Sequence, residues 1–179
     1  MTPDLQCEFQ LLRKAATHRL TDVADSASHR HVLSIWVRPS FTPPYRYTVY
    51  APFSSTKLHQ PFASYTVWRS DLDLGKVSNP PERLRHPKDL APTIEEEMLC
   101  LTDADVEALL QRLRGISVPL YLGPPTVIGC DGTDFEFRWD ETLYGASLRW
   151  WADGPSEWRP LTTAVAQIAG ELGRRRMGA

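Results

Sequence analysis

Residues 129–172 read GCDGTDFEFRWDETLYGASLRWWADGPSEWRPLTTAVAQIAGEL, and the spacing of their apolar residues changes period once. Phe135, Phe137 and Trp139 alternate with Asp134, Glu136 and Arg138. Leu148 and Trp150 then alternate with Ser147, Arg149 and Trp151. A period of two marks half-buried strands, so these runs are expected to fold back as a hairpin. Pairing Trp139 with Tyr144 across a loop at 140–143 sets Phe137 opposite Ala146, Phe135 opposite Leu148 and Thr133 opposite Trp150. The same register places Asp134 against Arg149 and Glu136 against Ser147 on the polar face. Trp150 then points inward and Trp151 outward, and a slip of one residue would turn the whole aromatic set to water. After Gly154-Pro155 the period lengthens. Pro160 suits a first helical turn, and Leu161, Val165, Ile168, Ala169 and Leu172 form one stripe. Gly173 is the expected stop, which gives a helix over 160–173 and a frayed basic segment over 174–179. The stretch is a packing unit, and no residue triplet in it can break a bond.

Upstream, Thr2-Pro3-Asp4 has the form of a helix start: a capping hydroxyl, proline at the first position and an acid near the positive end of the dipole. Leu5, Phe9, Leu12, Ala16, Leu20 and Val23 then predict an amphipathic helix over about 3–23, with a strand at 5–12 as the competing reading. A loop over 25–30 precedes alternating strands at 31–38, 45–50 and about 62–70, spaced as an antiparallel meander. Residues 71–92 hold prolines 80, 81, 87 and 92 and are expected to form a long surface loop. A strand is expected over 93–101. Thr102 and Asp105 form a capping box before Val106, Leu109, Leu110 and Leu113, so a helix spans about 103–114 and stops at Gly115. The fold class that follows is a single α+β domain. A mostly antiparallel sheet of five to seven strands carries the helices at 103–114 and 160–173 on one side, with the N-terminal helix in addition.

With 179 residues, 42% hydrophobic and 23% charged, the chain is long enough to bury a core without staples. Cys7, Cys100 and Cys130 are odd in number and lack CxxC spacing, so they are expected to act as small hydrophobes in a reducing compartment. There is no apolar run of bilayer length and no signal-like start, so a cytoplasmic protein without membrane contact is expected. Net charge is −2, but it is unevenly laid out. Residues 1–90 hold 12 Lys/Arg against 8 Asp/Glu, residues 91–160 hold 5 against 13, and the last 19 hold 3 against 1. An acidic segment of this kind disfavours nucleic acid and suits a basic protein partner.

The candidate chemistry is sparse. His29 and His31 have the spacing of two metal ligands but lack a third, and surface histidines explain them as well. Glu95 and Glu97 would share one side of a strand, where paired acids can do acid–base work or simply meet solvent. Asp131-Gly132-Thr133-Asp134 lacks the rest of a calcium loop and suits a turn. Cys100 and Cys130 have no histidine beside them, and Ser54 to Lys57 match S-x-x-K without its companion motifs. No catalytic residue, metal or cofactor is therefore expected. Six tryptophans remain, three of them clustered as Trp150, Trp151 and Trp158. An outward Trp151 is the natural contact residue, because indole buries a large area and keeps a polar handle.

LRWWADGPSEWRPL, a strand ending in Trp-Trp followed by P-x-x-W and a helix, resembles the C-terminal part of small bacterial single-domain proteins. The chain as a whole is similar in build to proteins of the toxin-immunity type. That resemblance implies a non-catalytic domain that neutralises a cognate toxin by occluding it. The contact would comprise Asp140 and Glu141 at the hairpin tip, Trp151 beside it, and Asp153 and Glu157 in the following turn. A second reading is a small enzyme with a site near the 71–92 loop, using Asp71, Asp73, Arg83, Arg85 or His86. A third is a structural subunit, which predicts a large exposed apolar patch.

Overall fold

The computed structural model describes residues 3–21, 28–53, 59–78, 91–119, 132–140 and 145–178. These form one six-stranded antiparallel sheet and four α-helices, the α+β architecture expected. In chain order they are α1 (Pro3–Thr21), β1 (His29–Pro39), β2 (Tyr45–Pro52), β3 (Phe62–Trp68), α2 (Ser70–Ser78), β4 (Ile94–Cys100), α3 (Asp103–Gln111), β5 (Thr133–Asp140), β6 (Gly145–Trp151) and α4 (Arg159–Met177). Strands β1 to β4 make the meander, and β5 returns to the other side of β1 and brings β6 with it. The spatial order is β4-β3-β2-β1-β5-β6, so β1 is an interior strand.

Helices α3 and α4 share one face of the sheet, as expected, and α1 and α2 cover the other. Leu33, Ile35 and Val37 point into the main core with Val106 and Leu109 of α3 and Val165 and Ile168 of α4. Trp36 and Trp68 alternate to the opposite face and pack with Leu12, Ala16 and Leu20 of α1 and Val77 of α2. Two indoles are too apolar to leave in water, and covering them is what draws α1 and α2 to that side. A bulge between His31 and Leu33 lets Val32 join Leu33 in the main core, although simple alternation places it opposite.

Part of the expected 71–92 loop is helical. Helix α2 spans Ser70–Ser78, while the rest of that prediction, 79–90, lies outside the described residues. Asp73 anchors α2 and is fully buried. Its carboxylate accepts hydrogen bonds from the Trp68 indole at 2.8 Å, the Thr93 amide at 2.8 Å, the Thr93 hydroxyl at 2.5 Å and Lys76 at 3.1 Å. One side chain thus ties β3, α2 and the approach to β4 together.

The hairpin register differs from the expected one by two residues. Phe135 stands opposite Trp150, Phe137 opposite Leu148, Trp139 opposite Ala146 and Asp140 opposite Gly145. A shift of two preserves the faces, so Trp150 is buried and Trp151 is turned out, as read from the pattern. The observed register stacks Phe135 on Trp150 with centroids 5.6 Å apart, where the expected one offered Trp150 only a threonine.

Helix α4 runs through Gly173 to Met177, so 174–177 is helix and not a frayed segment. Arg175 bonds Asp105 at 2.7 Å and Glu171 at 3.1 Å, and Arg176 bonds Glu97 at 2.6 Å while lying over the Tyr65 ring. Gly173 is a close-approach residue: a Cβ there would stand 3.2 Å from the Tyr47 hydroxyl. Thr102 and Asp105 form the predicted capping box of α3. No described helix is long and apolar enough to cross a membrane.

Candidate functional site

On the face away from α3 and α4, the strand positions that alternate with the core carry polar groups. Ser34, Thr48 and Ser64 are cross-strand neighbours on β1, β2 and β3, with Arg46 and Thr66 one step along. All five are buried. Ser64 hydrogen-bonds Glu96 of β4 and lies 3.3 Å from the Thr66 hydroxyl. The buried Thr48 hydroxyl has no hydrogen-bond partner among the described residues. Sequence reading took these as ordinary alternation. The signal was present, since Arg46, Thr48, Ser64 and Thr66 interrupt otherwise apolar strands.

Toward one end of this face lies an ion cluster. Asp134 is buried and pairs with two guanidiniums: Arg149 reaches it at 2.7 Å, and Arg38 Nε lies 2.9 Å away, an approach too poorly aligned to be a hydrogen bond. Arg38 also bonds Glu136 at 3.1 Å and lies over the Trp36 ring. Beside the cluster opens a cleft of about 550 Å³. Phe9 and Arg13 of α1 line it, with Trp36 and Arg38 of β1, Phe41 of the β1–β2 connection, Trp68 of β3, and Asp134, Arg149 and Trp151 of the hairpin.

The predicted contact residues do not all come together. Trp151 is 39% exposed, borders the cleft and sits opposite Asp134, with its indole against Gly132. Asp140 is six residues further along β5, roughly 20 Å away at strand rise, so Trp151 is not beside the hairpin tip. The Asp140 carboxylate is engaged by His31 at 3.0 Å and by Arg138 at 2.9 Å. Glu141 lies outside the described residues. Asp153 and Glu157 are exposed in the segment that follows Trp151. Glu157 is held below the usual carboxylate range by its own backbone N–H and by the Ser156 hydroxyl.

The other candidates have structural partners. His29 bonds the Ser28 hydroxyl at 2.8 Å and the Gln60 carbonyl at 3.0 Å. Glu95 pairs with Arg69 and Glu97 with Arg176, so neither is an isolated acid. Asp71 pairs with Arg69 on the surface, whereas Asp73 is the buried anchor of α2. Arg83, Arg85, His86, Cys130, Asp131 and the Ser54–Lys57 motif fall outside the described residues. Cys7 and Cys100 are free and exposed rather than packed as small hydrophobes, because each lies on the open side of its element. Among the described residues no group of three His, Cys, Asp or Glu is placed to hold a metal ion.

Among the described residues, five of the thirteen acids in the 91–160 segment pair with arginines from outside it: Arg69 takes Glu95, Arg38 takes Asp134 and Glu136, Arg175 takes Asp105, and Arg176 takes Glu97. Comparison with known proteins returned no match: no family model, no curated protein and no solved structure matches the chain.

Proposed function

We propose that this chain is a non-catalytic protein-binding domain of the toxin-neutralising type, docking on a basic toxin domain through the surface around Trp151. The observation that supports this reading is the exposed indole at the end of edge strand β6, followed directly by Asp153 and Glu157. Phe41, 84% exposed, borders the same cleft and adds a second ring to the surface. Exposed rings near the middle of a contact supply affinity, and rim carboxylates steer encounter. Asp140 is left out of the contact, since His31 and Arg138 already occupy it.

The test uses the product of the adjacent gene, where that gene encodes a toxin-like domain, and measures association and dissociation by surface plasmon resonance. Replacing Trp151 with alanine should weaken binding roughly 30-fold, mainly through faster dissociation. Reversing Asp153 and Glu157 together to lysine should slow association about tenfold at low salt and leave the melting temperature unchanged. Kinetics unaltered by both changes would end the proposal for this surface.

A further inference from the structure

We propose that the cleft between α1 and the β5–β6 hairpin binds a small aromatic carboxylate, a planar ring bearing one anionic head. Its volume of about 550 Å³ lies within the range usual for small-ligand pockets. Five aromatic side chains line it: Phe9, Trp36, Phe41, Trp68 and Trp151. Two of them, Phe41 and Trp151, stay exposed, while Trp36 and Trp68 are buried. A cleft lined by five rings favours a flat ligand that can stack.

The charge of the lining selects the sign of the ligand. Three guanidiniums, Arg13, Arg38 and Arg149, face one carboxylate, Asp134. Arg38 and Arg149 are both committed to Asp134. Arg13 is exposed on α1, has no ion pair among the described residues, and lies one helical turn from Phe9 on the same helix face. It is the cation left over, and a planar guanidinium matches a carboxylate through two parallel hydrogen bonds. A buried polar group lines the same cleft. Trp36 is buried among the lining residues, and its indole N–H has no acceptor among the described residues. A cationic ligand would meet a net positive wall, and a nucleic acid would need a track of several free cations where one is present. The cleft shares Phe41 and Trp151 with the proposed docking surface, whereas Arg13 on α1 and Trp36 on β1 enter only the small-ligand reading.

The experiment is calorimetric titration of the whole protein with indole-3-acetate, its neutral amide and indole, alongside indole N–H chemical shifts by NMR. The carboxylate should bind at least about tenfold more tightly than the amide and shift the Trp36 and Trp151 signals, as a charge-assisted guanidinium–carboxylate pair implies. Arg13→Gln should reduce that preference to about twofold or less, with an unchanged circular dichroism spectrum. Trp151→Ala should weaken carboxylate and amide alike. Equal binding of acid and amide, a preference that survives Arg13→Gln, or no binding at millimolar ligand would each overturn the proposal.

Discussion

Asp73 has no exposed surface and yet carries its charge, because four donors converge on its two oxygens. Burial pushes its carboxyl up, but the bonds from Thr93, Trp68 and Lys76 outweigh this and hold it below the usual range. Asparagine keeps the shape but turns a donor toward groups that are themselves donors. Asp73→Asn should therefore cost about 2–4 kcal/mol in urea denaturation, the scale for leaving buried partners uncompensated. Asp71→Asn, two residues away in an exposed pair with Arg69, should change stability by less than about 1 kcal/mol. The string DLDLGKVS shows only Lys76, three residues on from Asp73. The other donors lie five and twenty residues distant, and only the folded chain brings Trp68 and Thr93 to the same carboxylate.

At the scale of elements, α4 offers a comparison between two glycines. A Cβ at Gly170 would meet nothing nearer than Arg174 at 3.8 Å, while one at Gly173 would press on the Tyr47 hydroxyl at 3.2 Å. Gly170→Ala should stabilise the protein by about 0.5–1 kcal/mol, the propensity gain of a helix interior. Gly173→Ala should gain nothing until Tyr47→Phe removes the obstructing oxygen, which thermal denaturation of the three variants would check. Sequence reading took Gly173 for a stop because glycine often ends helices, and the stripe Leu161 to Leu172 happens to finish beside it. The periods themselves were legible. Leu12, Ala16 and Leu20 on α1, the faces of β5 and β6, and the outward Trp151 follow from spacing alone. The absolute register was not, since alternation determines parity and leaves a slip of two open. The cleft was equally hidden: Phe9, Arg13, Trp36, Phe41 and Asp134 come from distant parts of the chain, and no local pattern announces their meeting.

For the whole molecule, cross-segment ion pairs couple stability to acidity. Asp105 is lowered to about 2, first by the hydrogen bond from Arg175 and then by those from Thr102. A carboxyl depressed on folding adds stability above its unfolded value near 3.9 and loses it as pH falls through the folded value. Stability should therefore drop between about pH 4 and pH 2. Arg175→Gln should bring the Asp105 titration, followed by NMR, back toward 3.9 and flatten that drop. The strand order has a further consequence, for synthesis. β1 sits between β2 and β5, and Leu33 finds its partner Trp139 more than a hundred residues later. At roughly 5–20 residues per second on the ribosome, one flank of an interior strand waits on the order of 5–20 s for its mate. During that interval the nascent chain holds the backbone of Leu33 to Val37 open to any neighbour that can pair with it, so the order of translation exposes it to aggregation that the finished sheet does not face.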